Sequence, residues 1–337
     1  MPQDGDRDPW GPELSREIAR VAPKRAGSGL YSAVPDPEPG TGDDRQDPGD
    51  GSDEEQHEEI DFIPVRRDLS LAIAGFAALL GVGLIMGAQT SGPDARAPYA
   101  IVIFGVQVLF VLAWTMAMRP PAAATVAGIC LVAGLTADYL AVTVGTAHLL
   151  PLLYVALVAF TLALIGQQIR AADRQRTRDA LGSTILLVLG SVAFASLILL
   201  TRKPIGTQAI GVCLAAAAVA LVIARLTDAV FPRPRIAPQV PRGATGVILG
   251  AMLGTLAAAG LGSVLVLPFT PAKGAVLGLV VAGLAALLDL AVNFTEAGRS
   301  MAGDAPTFWV ARHMQGPLGA FALAAPATYA LTVFFLA

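Results

Sequence analysis

The chain has 337 residues, of which 54% are hydrophobic and only 15% charged. So few charges over so much apolar surface exclude an ordinary water-soluble globule, and the formal net charge is −3. That average joins two unlike parts: residues 1–68 hold 18 acidic and 8 basic side chains, and the remaining 269 hold 8 acidic and 15 basic.

The first part, 1–68, reads as a disordered, acidic cytoplasmic tail. Runs such as PDPEPGTGDD and DPGDGSDEEQHEE cannot bury enough apolar surface to offset chain entropy. It has no apolar h-region, so a secretory signal is not expected. Over 12–25, Leu14, Ile18 and Val21 share one helical face. That segment is either a transient helix or a short one that docks on a partner or lies on the membrane surface.

From Leu69 onward the chain reads as nine apolar stretches. A bilayer core about 30 Å thick takes roughly 20 helical residues to cross, and lipid offers backbone amides no partner. The expected fold class is therefore all-α, a polytopic membrane bundle of about nine transmembrane helices over 69–337. The spans read as 69–88, 98–118, 121–143, 147–166, 183–201, 206–226, 243–267, 271–294 and 316–336. Only a short Thr-Ala-His link parts the third and fourth, which also permits one re-entrant unit.

Lys and Arg in short loops set orientation. Arg66 and Arg67 precede the first span. On that side lie Arg119, then Arg170, Arg174, Arg176 and Arg178, then Arg225, Arg233, Arg235 and Arg242, then Arg299 and Arg312. The other side holds Arg96, Arg202, Lys203 and Lys273. This bias predicts a plasma-membrane protein with its N-terminus inside and its C-terminus outside.

Soluble-enzyme motifs are missing from the sequence: no zinc pattern, P-loop, dinucleotide fingerprint or nucleophile elbow. Cys130 and Cys213 lie in apolar spans and read as small buried side chains. His57, His148 and His313 are scattered and form no ligand spacing. The basic loops lack interleaved aromatics, so nucleic acid is not expected and the anionic inner leaflet is their natural neighbour. Gly246, Gly250 and Gly254 recur every four residues, as do Gly274, Gly278 and Ala282. Such stripes let helices approach closely, either inside one bundle or across a homodimer seam.

Acidic residues inside spans carry the site reading. A bilayer-centre Asp costs roughly 2.5–3.5 kcal/mol on insertion scales, so such residues face a bundle interior or a wet cavity. Asp228, at a span end, and Asp138, beside Tyr139, are placed where hydration can serve them. Asp289 lies deeper, and Asn293 and Glu296 follow it at i+4 and i+7 on one helical face. These three form the candidate binding face, expected to line a water-accessible cytoplasmic cavity with Asp289 either a metal ligand or the partner of an Arg from a neighbouring loop; the alternative is that Asp289 is a helix-packing group hydrogen-bonded within the bundle.

Here the sequence resembles a family. The stretch from Gly274 to Tyr329 is similar to the C-terminal half of CDP-diacylglycerol synthases (phosphatidate cytidylyltransferases). Their closing pattern runs G-D-L-A, then K-R, K-D, P-G-H-G-G and D-R-x-D, then A-A-P-x-x-Y. This chain has GAVLGLVVAGLAALLDLAVNF, a loop, and FALAAPATY, and the distance from Asp289 to Pro326 matches the family's spacing without a gap. Upstream, TDAVFPRPRIAPQVPRGATG is similar, with deletions, to the region from D-T-G-A-Y to S-P-K-K-T-W-E-G. The rest of the membrane domain matches only in helix number.

The family's chemistry does not carry over with that resemblance. On the ungapped register only Asp289 meets a functional acidic position. The K-R pair falls on Glu296 and Ala297, and the K-D pair on Ala302 and Gly303. The His falls on Ala311, and the D-R-x-D acids fall on Gly316 and Gly319. Slips of one and two residues would recruit Asp304 and His313. The resemblance therefore implies a catalytically degenerate relative that binds a lipid, such as an anionic phospholipid, or a regulatory membrane partner. Two alternatives stand beside it: an active cytidylyltransferase with a rearranged, magnesium-dependent site, and a transporter or permease component.

Overall fold

The computed structural model describes residues 66–90, 96–145, 148–170, 180–303 and 308–336. The acidic tail up to residue 65, with its 12–25 segment, His57 and Asp304 all lie outside the described residues. Among the described residues no β-strand occurs, and nine helical segments are long and apolar enough to cross a membrane. The protein is a multi-pass, all-α membrane protein.

The helices are α1 (Arg67–Gln89), α2 (Ala97–Met118), α3 (Ala123–Thr143), α4 (Leu150–Arg170), α5 (Leu181–Ala193), α6 (Ala195–Leu200), α7 (Gly206–Val230), α8 (Ala244–Val264), α9 (Pro271–Met301) and α10 (Trp309–Leu331). A π-helical turn, Thr332–Leu336, continues α10. The third and fourth apolar stretches are two separate helices of 21 residues each, each long enough to cross alone. The fifth stretch is interrupted at Phe194, between α5 and α6. Phe194 is fully buried and meets Phe110 edge-on, with ring centroids 6.0 Å apart.

Four helices overrun the spans read from hydropathy by a turn or more, α4 and α7 by four residues and α9 and α10 by seven. Apolar character fades at Asn293, yet α9 continues to Met301, for a total of 31 residues. At 1.5 Å per residue that is about 46 Å, longer than the hydrocarbon core. The added turns are held by a Glu296–Arg299 pair at i, i+3, and the chain leaves them through Gly303 at φ 75°, where a side chain would be strained. Its other end is set sharply: Pro271 occupies the first turn, and the Thr270 hydroxyl accepts from Lys273 N. Likewise α10 begins at Trp309 rather than 316, because Arg312 and His313 find polar surroundings at the bundle end and need no lipid exposure.

Helix α7 is the hub, packed by α1, α8, α9 and α10. The small-residue stripe of α8 explains the closest of these contacts. A Cβ on Gly250 would collide with the Ala220 carbonyl of α7, and one on Gly254 would stand 2.5 Å from the Ala216 carbonyl. Gly274 and Gly278 of α9 meet Ala258 of α8 in the same way. The faces that carry these glycines are occupied within the chain. Cys130 and Cys213 are buried free thiols. At the opposite end of the bundle from the α7 C-terminus, Arg202 donates through Nε to the Ala141 carbonyl at 2.9 Å, satisfying an oxygen that α3 leaves unpaired.

Candidate functional site

Four charges meet at the end of the bundle where α7 stops, α8 starts, α9 emerges and α10 enters. Arg225 and Asp228 stand three residues apart on the last turns of α7 and so share a face. The connecting segment FPRPRIAPQVPRG is punctuated by four prolines, which cannot donate to a helix or sheet. It turns back on itself through Ile236 N to the Arg242 carbonyl at 3.2 Å and Ala244 N to the Pro234 carbonyl at 2.9 Å. That turn drives Arg242 inward, where it is the largest fully buried side chain of the protein's described residues.

Each carboxylate is met by guanidinium. Arg242 Nη1 donates to Asp228 Oδ2 at 2.7 Å, and Arg225 Nη2 donates to Asp289 Oδ1 at 2.6 Å. Arg242 Nη2 lies 2.9 Å from Asp289 Oδ2. This last contact is close but poorly aligned, so both atoms have an ion-pair partner without a hydrogen bond. Asp228 Oδ1 also accepts from Gly243 N at 3.0 Å. Asp228 is 1% exposed and Asp289 0%. Burial, with Arg225 nearby, pulls the Arg242 guanidinium below its ordinary pKa, and Asp289 and Asp228 push it back up. An arginine keeps its proton under such a shift, so the set is a buried quartet of zero formal charge.

Two glycines make room for it. A Cβ on Gly246, in the first turn of α8, would strike the Asp228 carboxylate; a Cβ on Gly316 of α10 would strike that of Asp289. Gly246 belongs to the small-residue stripe that reads as helix packing, and it also seats an acid.

The predicted face divides in two. Asn293 Nδ2 donates to the Asp289 carbonyl at 2.5 Å, and Glu296 is clasped by Arg299 at 2.6 Å and Arg312 at 2.9 Å. Arg299 also donates to the Ala117 carbonyl, tying α9 to the end of α2. Asn293, Glu296, Arg225, Gln239 and Arg312 line a cleft of about 60 Å³. Asp289 is not on its wall: fully buried behind the returning loop's Arg242, it does not line the water-accessible cavity expected of this face. Ligand pockets typically run to about 300–1,000 Å³, so this cleft is too small for a nucleotide. Asp289 has Arg225 and Arg242 as its partners, and no group of three His, Cys, Asp or Glu that could hold a metal occurs among the described residues.

The two other acids correct the sequence reading. Asp228 is sealed rather than hydrated, because the returning loop covers it. Asp138 is 2% exposed and accepts from Gln107 Nε2 at 3.0 Å, while its neighbour Tyr139 faces outward at 65%. Helix rotation accounts for the difference: adjacent residues point about 100° apart, one into the bundle and one away. Arg225, Asp228 and Arg242 were legible as charges and not as a site. The available signal was an Arg-x-x-Asp pair at the end of an otherwise apolar helix, followed by a proline-rich return.

Comparison with known proteins finds no matching family model, no matching curated protein and no matching solved structure.

Proposed function

We propose that the protein is a cytidylyltransferase-like membrane protein that binds an anionic lipid and does not transfer nucleotide, with its N-terminus and charge quartet at the cytoplasmic face. The observation that carries this reading is the one-to-one neutralisation of Asp228 and Asp289 by Arg242 and Arg225. The chemistry implied by the resemblance uses carboxylates to hold a divalent metal against nucleotide phosphates, and cations to offset developing charge. Here a metal arriving at Asp289 would meet guanidinium nitrogens already 2.6 and 2.9 Å from its oxygens. Glu296 stands where the resemblance implies a phosphate-binding Lys, and it is itself held by two arginines. The arginine excess of this bundle end favours an anionic leaflet, which also supports the orientation.

The test uses the purified full chain with phosphatidate, CTP and magnesium. No pyrophosphate release is expected, and an anionic phospholipid should co-purify beyond its share of the source membrane. Turnover that disappears in Asp289→Asn would overturn the non-catalytic reading. Co-purified lipid of bulk composition would overturn lipid binding. For orientation, Cys130 and Cys213 are replaced and single cysteines are placed in 167–182 and after Ala337. An impermeant thiol reagent should label only the second from outside.

A further inference from the structure

We infer that the head group of an anionic phosphodiester lipid binds in the cleft between the first turns of α1 and α10. The inference rests on the lipid-binding reading and assigns it a place. The cleft encloses about 580 Å³, and its polar wall is Arg66, Asp68, Arg312 and His313. That is ample for a glycerophosphate head group, and roughly tenfold the volume of the neighbouring cleft lined by Asn293 and Glu296.

Charge selects the ligand class. The lining carries two guanidiniums, Arg66 and Arg312, against one carboxylate, Asp68. The balance is one positive charge, which a phosphodiester matches; a phosphomonoester carries about −1.5 to −2 at neutral pH and would leave an excess. Glu296 engages one terminal nitrogen of Arg312 at 2.9 Å, and the planar fork has further N–H donors for a second oxyanion.

The apolar side points to a lipid rather than a free phosphate. Leu69 and Ala72 form the floor. Ala72, Leu79 and Met86 follow at seven-residue intervals on one face of α1, all exposed, with Leu79 at 75% and Met86 at 55%. That face is a continuous apolar track on which an acyl chain can lie while its phosphate sits at the top. Trp309 closes the other wall, 60% exposed, with its ring centroid 6.0 Å from that of His313. An exposed indole at a helix end marks head-group depth.

The experiment is native mass spectrometry of the detergent-purified full chain with phosphatidylglycerol, phosphatidylethanolamine or inorganic phosphate. Phosphatidylglycerol should bind in preference to phosphatidylethanolamine, and Arg66→Gln or Arg312→Gln should each weaken it about tenfold. Arg66 and Ala72 are exposed, so Arg66→Gln and Ala72→Trp test the site even where Arg312→Gln disturbs folding. Ala72→Trp should block the track and lower phosphatidylglycerol binding without changing the melting temperature. Wild-type affinity in the Arg66→Gln, Arg312→Gln double variant would overturn the site and leave lipid binding standing. No preference for phosphatidylglycerol in the wild type would overturn both. Displacement of the lipid by equimolar inorganic phosphate would overturn the lipid as the ligand.

Discussion

Two buried aspartates divide this bundle into regions that handle burial differently. Asp289, where α7 to α10 converge, faces two guanidiniums. Asp138, where α2 and α3 meet, has one amide partner, Gln107, and its second oxygen has no hydrogen-bond partner. Both are almost completely buried. The difference teaches that burial alone does not make a charged site. Around Asp289 the chain brings a helix end, a returning loop and two glycines together to balance charge. Around Asp138 it supplies a single neutral side chain inside ordinary helix packing.

The largest expected effect follows from breaking that balance. Arg242→Met removes the guanidinium shared by Asp228 and Asp289 and leaves a buried net negative charge. Removing one partner of a buried pair costs about 3–5 kcal/mol. A large drop in the thermal midpoint of the purified protein is expected. Removing both Arg242 and Asp228 as Met and Leu should recover part of the loss, since an apolar pair of similar size restores neutrality. A double variant as unstable as the sum of its singles would show that the quartet is not coupled.

The glycines give a smaller effect and a control. Gly316→Ala pushes a Cβ into the Asp289 carboxylate, whereas Gly283, on the same helix as Asp289, has nothing within 4 Å of a built Cβ. Overpacking costs about 1–3 kcal/mol, while Gly→Ala in an open helical position gains up to about 1 kcal/mol. Opposite signs are therefore predicted for Gly316→Ala and Gly283→Ala in the same melting assay. Equal effects would mean that α10 shifts freely and that Gly316 does not position Asp289.

Much of the fold was legible because hydropathy and helix length are local properties. The nine apolar segments stand near the spans read from sequence, and the stripe Gly246, Gly250, Gly254 marked a close helix contact. What hydropathy misplaces are ends, since it measures lipid preference and not hydrogen bonding: α9 runs through Thr295 to Met301 on its own backbone and a Glu296–Arg299 pair. The site was legible at Asp289, whose depth makes it conspicuous. Its partners were not, because Arg225 lies 64 residues away and Arg242 reaches it only through the path of a proline-rich loop. Spacing along the chain carries no information on that path. Asp138 and Tyr139 show the converse error, in which one residue's exposed neighbour suggests exposure for both.

The smallest predicted effect separates the two regions most sharply. Asp138→Asn keeps the size of the side chain and the acceptor for Gln107 Nε2. It also adds an amide donor beside Gln107 Oε1, which is buried without a hydrogen-bond partner. The pair becomes a reciprocal amide–amide contact, each hydrogen bond worth about 0.5–1.5 kcal/mol net. Stability should therefore hold or rise slightly. Asp289→Asn makes the same chemical change with the opposite consequence, because it leaves Arg225 and Arg242 facing only Asp228, one buried positive charge in excess. A loss of several kcal/mol is expected there. Melting curves of the two Asn variants, measured side by side, decide the matter. A loss at Asp138→Asn as large as that at Asp289→Asn would require a charged partner for Asp138, and the contrast between the two regions would fall with it.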